Sequence, residues 1–339
     1  MSRALDRTRP PLYGDLSSWA LIHADALAFL QVVPTSSVDA VISDPPYGLA
    51  FAGESWDGEY LATGEGFQAF STAWAREVHR VLRPGGYLAS FGATRTMHRL
   101  VAGVEDAGLE VRDQLLWLYS TGVPKGRRMP NGLSSALKPA YEPILLTRKP
   151  LPPGRTLTQH VRETGLGAID IEGTSADPQS RSWPTNVLLA HEERCAETCG
   201  PRCTVRVIDE IAESERRGAR PVSRLFYSTK ATPTEREAGC EHLPKTKSEI
   251  FSSKSGGRPR ANQHPTVKPL DLCRWLVRLV APRGGLVLDP FTGSGSIGCA
   301  AVLEGRQFIG IERDARYVPI ARARLAHWTK AALAEGSQA

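Results

Sequence analysis

Residues 287–301 read VLDPFTGSGSIGCAA. The apolar run GLVLDPF has the character of a buried strand, and GSIGCAAVLEG that of a helix. Between them Gly293, Gly295 and Gly298 have the G-x-G-x-x-G spacing. Glycines at a strand-to-helix turn allow a tight reversal and let the backbone approach a ligand closely. The next apolar run, QFIGIE, ends in Glu312, where a carboxylate can take the two hydroxyls of a ribose. This order predicts an adenosine-containing cofactor on an α/β sheet. Asp289 and Pro290, just before the glycines, narrow the choice. An acid at that strand tip sits awkwardly against the pyrophosphate of a nicotinamide dinucleotide. It suits S-adenosylmethionine, which carries an ammonium, a sulfonium and a ribose but no phosphate. The plainer alternative is that Asp289 only caps the following turn.

Working outward, LDLCRWLVRLV before this unit reads as an apolar-faced helix, and residues 314–330 after it as another. Near the N-terminus, Ala20 to His23 read as a strand, a helix follows from Asp25, and Val38 to Ile42 form a second strand. Apolar spacing of three and four predicts an amphipathic helix over 66–82, stopped by RPGG. YLASFGA then reads as a strand, 95–107 as a helix, and EVRDQLLWLYS and EPILLTRK as strands. The alternation predicts a mostly parallel sheet with helices on both faces. Over 150–263 the periodicity is weak, and Pro, Gly, Ser and Arg are frequent. The expected organisation is a first ordered block at 15–150, an irregular insertion at 151–263 and a second ordered block at 264–330.

The 339 residues are 41% hydrophobic and 23% charged, an ordinary globular balance, with a net charge of +6. That mild basic bias is compatible with a nucleic-acid partner and does not prove one. The N-terminal MSRALDRTRPPLYG lacks the apolar core of a signal peptide. No stretch approaches the ~18–20 apolar residues of a membrane span. With six cysteines, too few for a disulfide scaffold, a cytoplasmic location is expected and no membrane partner.

The strand ending at Ile42 exits through SDPPYGLAF, residues 43–51. Two prolines cannot continue a sheet ladder and make a stiff extended loop, which would hold Asp44 and Tyr47 at fixed positions. DPPY at 44–47 followed, near the C-terminus, by DPFTGSGS at 289–296 resembles the DNA amino-methyltransferases, in the permuted β-group order. In that group a target-recognition segment lies between the catalytic and cofactor blocks. VLRPGGYLASF, KPAYEPILLTRKP, FYSTKATPTEREAG and HPTVKPLDLCRWLVRLV resemble further pieces of the same family. The resemblance covers about 20–150 and 220–328 and is thin over 150–220.

The resemblance implies a Rossmann-like S-adenosylmethionine-dependent methyltransferase sheet with a target-recognition insertion. Asp44, Pro45, Pro46 and Tyr47 would be catalytic. Asp44 and the Pro45 carbonyl accept the two hydrogens of an exocyclic amine, localise its lone pair and aim it at the methyl group. Tyr47 stacks on a base flipped out of the duplex. Asp289, Phe291, Thr292, Gly293, Ser294 and Gly295 would hold the methionine end of the cofactor and Glu312 its ribose. Thr266 and Lys268 would close over it, and Asp25 would lie near the adenine, though an acid there also serves as a helix N-cap. No metal is needed for such chemistry. The partner is double-stranded DNA, with a homodimer and a restriction endonuclease partner left open. DPPY is the commoner adenine-N6 form, and cytosine N4 is the runner-up. An RNA or protein N-methyltransferase, a nicotinamide oxidoreductase and a non-catalytic DNA-binding protein are the competing classes.

PKGRRMPNG and SSKSGGRPRANQ are basic and glycine-containing, and under the methyltransferase resemblance Lys125, Arg127, Arg128, Lys254, Arg258 and Arg260 are expected phosphate contacts, the alternative being solvated loops. HEERCAETCGPRC sets His191, Cys195, Cys199 and Cys203 at four-residue intervals. These are candidate zinc ligands, although the spacing is not that of a standard finger. Reduced cysteines in a small irregular subdomain are the alternative.

Overall fold

The computed structural model describes residues 18–50, 57–58, 63–119, 128–175, 183–191, Cys195, Cys199, Cys203, 205–207, Glu210, 230–246 and 259–336. Its centre is an eight-stranded sheet. In chain order the strands are β1 (Trp19–His23), β2 (Val38–Ser43), β3 (Leu82–Phe91), β4 (Glu110–Leu118), β5 (Tyr141–Arg148), β6 (Val187–Leu189), β7 (Leu286–Asp289) and β8 (Gln307–Glu312). Their spatial order is β1-β8-β7-β2-β3-β5-β4-β6. β5 pairs antiparallel with both β3 and β4, and all other pairings are parallel. Seven strands therefore run in one direction and β5 alone opposes them. The carboxyl ends of the seven share one edge with the start of β5.

Helices cover both faces, as the alternating pattern predicts. On one side lie α1 (Ala26–Leu30), α2 (Gly64–Val81) and α3 (Met97–Asp106), whose Leu30, Phe67, Trp74, Val78, Leu100 and Val104 pack on the sheet. Phe67, Ser71, Trp74, Ala75, Val78 and Val81 recur every three or four residues, giving α2 its one buried stripe. The other face carries α6 (Leu270–Val280), α7 (Ser296–Leu303) and α8 (Val318–Gly336). Asp39, buried in β2, accepts from Arg83 Nη1 at 3.1 Å and from the Leu286 amide at 2.6 Å, so its charge is not stranded in the core.

Two local readings change. The helix over 66–82 ends at Val81, and RPGG is not its stop but part of β3. There the β2–β3 register slips between Val38 and Ala40. Gly85 has φ +79°, and a side chain at Gly86 would meet the Asp39 carbonyl at 2.8 Å, so the bulge requires both glycines. Within 151–263, where periodicity is weak, α4 (Leu157–Thr164), β6 and α5 (Pro233–Glu237) are nevertheless ordered. α4 starts with a capping box of Thr156 and Gln159, and β6 adds to the free side of β4.

Candidate active site

β2 and β7 are neighbours in the sheet, so the loops leaving their carboxyl ends meet. A direct bond joins them: Ser43 Oγ donates to Asp289 Oδ1 at 2.5 Å. Both loops line one cavity of about 690 Å³, a size suited to a small-molecule cofactor. Asp44, Pro45, Pro46 and Tyr47 form part of its wall. Asp25, Thr266, Lys268, Asp289, Phe291, Thr292, Gly293, Ser294 and Glu312 form more of it. Gly295 lies just behind, as the left-handed N-cap of α7 with φ +80°.

At the Asp44 end of the cavity four side chains interlock. Lys268 Nζ donates to Asp44 Oδ2 at 2.5 Å and lies 3.2 Å from Glu142 Oε1. The Tyr47 hydroxyl bonds Asp44 Oδ1 at 2.5 Å and also Glu142 Oε1. A phenol has one hydrogen to give, so it donates to one of the two carboxyls at a time. Burial raises the Asp44 pKa above the usual carboxylate range. Lys268 opposes that rise and Glu142 adds to it. Burial works against the Lys268 charge, yet Asp44 and Glu142 overcome it and hold its pKa above the ordinary lysine value. Lys268, expected at the cofactor end, thus sits beside Asp44, with its ammonium 4.8 Å from the Phe91 ring centre.

Glu142 was not singled out from the sequence. It reaches the site because β5 runs backwards, which brings its first residues to the carboxyl edge. An acid opening the apolar run EPILL was the available signal.

At the glycine-loop end Glu312 Oε2 accepts from the Gly293 amide at 2.7 Å, and Oε1 from the Asp314 amide at 2.6 Å. Its burial raises its pKa. Asp289 is 1% exposed. Burial pushes its pKa up to about 7, against the pull of the Ser43 and Phe291 donors. Phe291 packs edge-on to Trp74, ring centres 5.8 Å apart. Arg324, fully buried in α8, donates to the Ser294 carbonyl at 2.8 Å and to both Ser294 and Ser296 hydroxyls, holding the glycine loop from below. His264 packs against Gly293 and is kept neutral, its pKa lowered to about 3 by burial and by Lys268. Asp25 is the N-cap of α1, accepting from the Ala28 amide at 3.2 Å, while also facing the cavity.

The TERE piece of FYSTKATPTEREAG supports the segment that carries Lys268. Glu235 accepts from the Leu270 amide at 2.6 Å, Arg236 donates to the His264 carbonyl, and Glu237 accepts from the Ala261 amide.

Of the six basic residues expected to touch phosphates, Lys125, Arg127, Lys254 and Arg258 lie outside the described residues. Arg128 and Arg260 are exposed, each on an isolated β-bridge, with Ser134 and Thr246 respectively. His191, Cys195, Cys199 and Cys203 come together in one cluster. Cys240 is buried apart from it, against Ala261, Tyr317 and Ile320. No helix among the described residues is long and apolar enough to cross a membrane.

The type II methyltransferase M2.DpnII of Streptococcus pneumoniae is 22% identical, over 94% of this chain and 92% of its own. The DNA adenine methyltransferase YhdJ of Escherichia coli is 24% identical, over 90% of this chain and 82% of its own. The solved cytosine-N4-specific PvuII DNA methyltransferase shares the fold, with a TM-score of 0.57 at 17% identity, over 94% of this chain and 93% of its own. The N6/N4 DNA methylase family model matches residues 38–323, a span that takes in both the β2 loop and the β7 loop. The chain therefore belongs to the N6/N4 DNA methylase family and is a DNA methyltransferase of adenine-N6 or cytosine-N4 type.

Proposed function

We propose that this chain moves the methyl group of S-adenosylmethionine to the exocyclic amine of a base flipped out of double-stranded DNA, with adenine N6 the favoured target. One observation carries the reading: the Asp44 loop and the Gly293 loop, joined by the Ser43–Asp289 bond, open onto the same cavity. The donor set at its cofactor end fits. Glu312 faces the cavity with lone pairs to spare for a ribose, and Asp289 supplies an acid for an ammonium. S-adenosylmethionine, when bound, supplies a methyl group activated by its sulfonium.

The protein's own part is positioning. Asp44 accepts one amine hydrogen and the Pro45 carbonyl the other, which localises the lone pair along the line of attack. For this, the Tyr47 hydroxyl must give up Asp44 Oδ1. Its release frees the ring to stack on the base, worth ~1–3 kcal/mol. Lys268 stays on Oδ2 and keeps Asp44 aimed. Asp44, with its raised pKa, suits the proton that the methylated amine gives up. Adenine is favoured by the DPPY form and by the likeness to an adenine methyltransferase. Cytosine N4 is the second reading, because the same two acceptors serve either amine and a cytosine-N4 enzyme has the same fold.

The test is product analysis. Purified protein is incubated with unmethylated genomic DNA and S-adenosylmethionine, and the DNA is digested to nucleosides for mass spectrometry. N6-methyladenine is expected. N4-methylcytosine would transfer the reading to cytosine, and no methylated nucleoside would overturn it.

A pH dependence follows from Asp289. Only its carboxylate attracts an ammonium, and its pKa lies at about 7. Cofactor affinity should therefore rise as pH increases through neutrality, by about tenfold between pH ~6 and ~8. Below neutrality, binding should release a proton. Calorimetry in buffers of different ionisation enthalpy measures both, and a flat profile would remove Asp289 from the cofactor's cationic end.

A further inference from the structure

We propose that His191, Cys195, Cys199 and Cys203 bind one structural zinc ion, which fastens the central segment to the edge of the sheet. Their four ligand atoms all lie within 4.8 Å of one another. His191 Nδ1 is 3.3 Å from Cys199 Sγ and 3.4 Å from Cys203 Sγ. Tetrahedral zinc with ordinary bond lengths sets N–S edges of about 3.6 Å and S–S edges of about 3.8 Å. The cluster is thus close to the dimensions of a coordination shell. Three thiolates and one imidazole are a recognised closed set for structural zinc, with no position left for a substrate. None of the four lines the cavity that holds Asp44 and Glu312, which fits a structural role.

Two features argue that the gathering is not incidental. No disulfide joins any of the six cysteines, and three in one place are an odd number for disulfide pairing. Among the described residues the apolar support is slight. Leu189, Cys203 and Val205 are its buried members, with Leu118 and Val187 packed against them. A bound metal ion would add folding energy directly.

The location gives the ion a task. β6 is a three-residue edge strand, and the Ala190 amide donates to the Leu118 carbonyl just before His191. Because β6 runs parallel to β4, the cluster emerges at the sheet edge that carries Asp44. Zinc would pin Cys195, Cys199 and Cys203 to that edge. That it helps present a DNA-reading surface rests on the proposed function, whereas the metal binding itself does not.

The experiment measures metal in protein made with zinc supplied and purified without chelator. About one zinc per chain is expected, released by a thiol-reactive mercurial. Replacing the ion with cobalt(II) should give thiolate charge-transfer and tetrahedral bands. The Cys195→Ser/Cys199→Ser variant should retain at least about tenfold less zinc. If that variant does not fold, His191→Cys should keep the metal as a four-thiolate site with a shifted cobalt spectrum. Cofactor affinity in His191→Cys should stay within about twofold of the parent, because the sites are separate. Zinc near background, zinc unchanged in the double serine variant, or a disulfide among the three cysteines would overturn the proposal. A zinc-loaded protein that methylates nothing would count against the proposed function alone.

Discussion

Asp44→Ala is expected to lower methyl transfer by about 100- to 10,000-fold while leaving cofactor affinity nearly unchanged. In the proposed mechanism the substitution removes the acceptor that localises the amine lone pair, and no neighbour replaces it. Glu142 bonds the same Lys268 and the same Tyr47 hydroxyl, but it belongs to β5 and not to the loop that aims at the cofactor. The protein should still fold. Removing one partner of a buried ion pair usually strands the other. Here Glu142 stays 3.2 Å from the Lys268 ammonium and continues to neutralise it. Single-turnover transfer and equilibrium cofactor binding, measured on the same preparation, separate the two effects. Parallel loss of both would mean that Asp44 shapes the cavity and does not act on the amine.

Gly293→Ala is the second large effect, and it falls on the cofactor. Gly293 has φ +54°, where an L-residue pays about 1–2 kcal/mol. Its new Cβ would also lie 2.5 Å from His264 Nε2. That ring is boxed in, edge-on to Tyr317 at 4.6 Å between centres, so the loop must move instead. The Gly293 amide would then leave Glu312, loosening the expected ribose acid. Losing a hydrogen bond to a carboxylate costs about 1.5–3 kcal/mol, so a cofactor Kd about 10- to 100-fold weaker is expected. Gly305→Ala is the control. Gly305 has φ +66° with nothing within 4 Å of a Cβ, so it carries the backbone strain without the collision. If both variants bind cofactor like the parent, the glycine loop is not the cofactor's seat.

The sheet was legible because its strands are apolar runs bounded by turn residues, and both key loops follow such runs. The orientation of β5 was not legible, since a strand's direction depends on which neighbour it finds. Glu142 was hidden with it. Lys268 was tied to the cofactor by its place in HPTVKPL, but its bond to Asp44 spans 224 residues and no local pattern encodes that. Arg324 looked like one more basic residue in a helix rich in them. Only the packing of α8 beneath the glycine loop shows it buried. β6 was missed because three residues in a Pro- and Ser-rich stretch are too few to display a period.

The Ser43–Asp289 bond spans 246 residues of chain. A ribosome adding about 5–20 residues per second needs roughly 12–50 s to cover that distance. β2 can pair with β3 early, but its other side waits for β7. Closing so long a loop adds little entropic cost beyond a shorter one, so the delay is set by synthesis. During it, the nascent chain exposes one edge of a strand that is fully buried in the finished sheet, a risk of mispairing that a chaperone would cover. The two ends of the cavity come together only when the last block docks, so the ability to mark DNA is among the last properties the growing chain acquires.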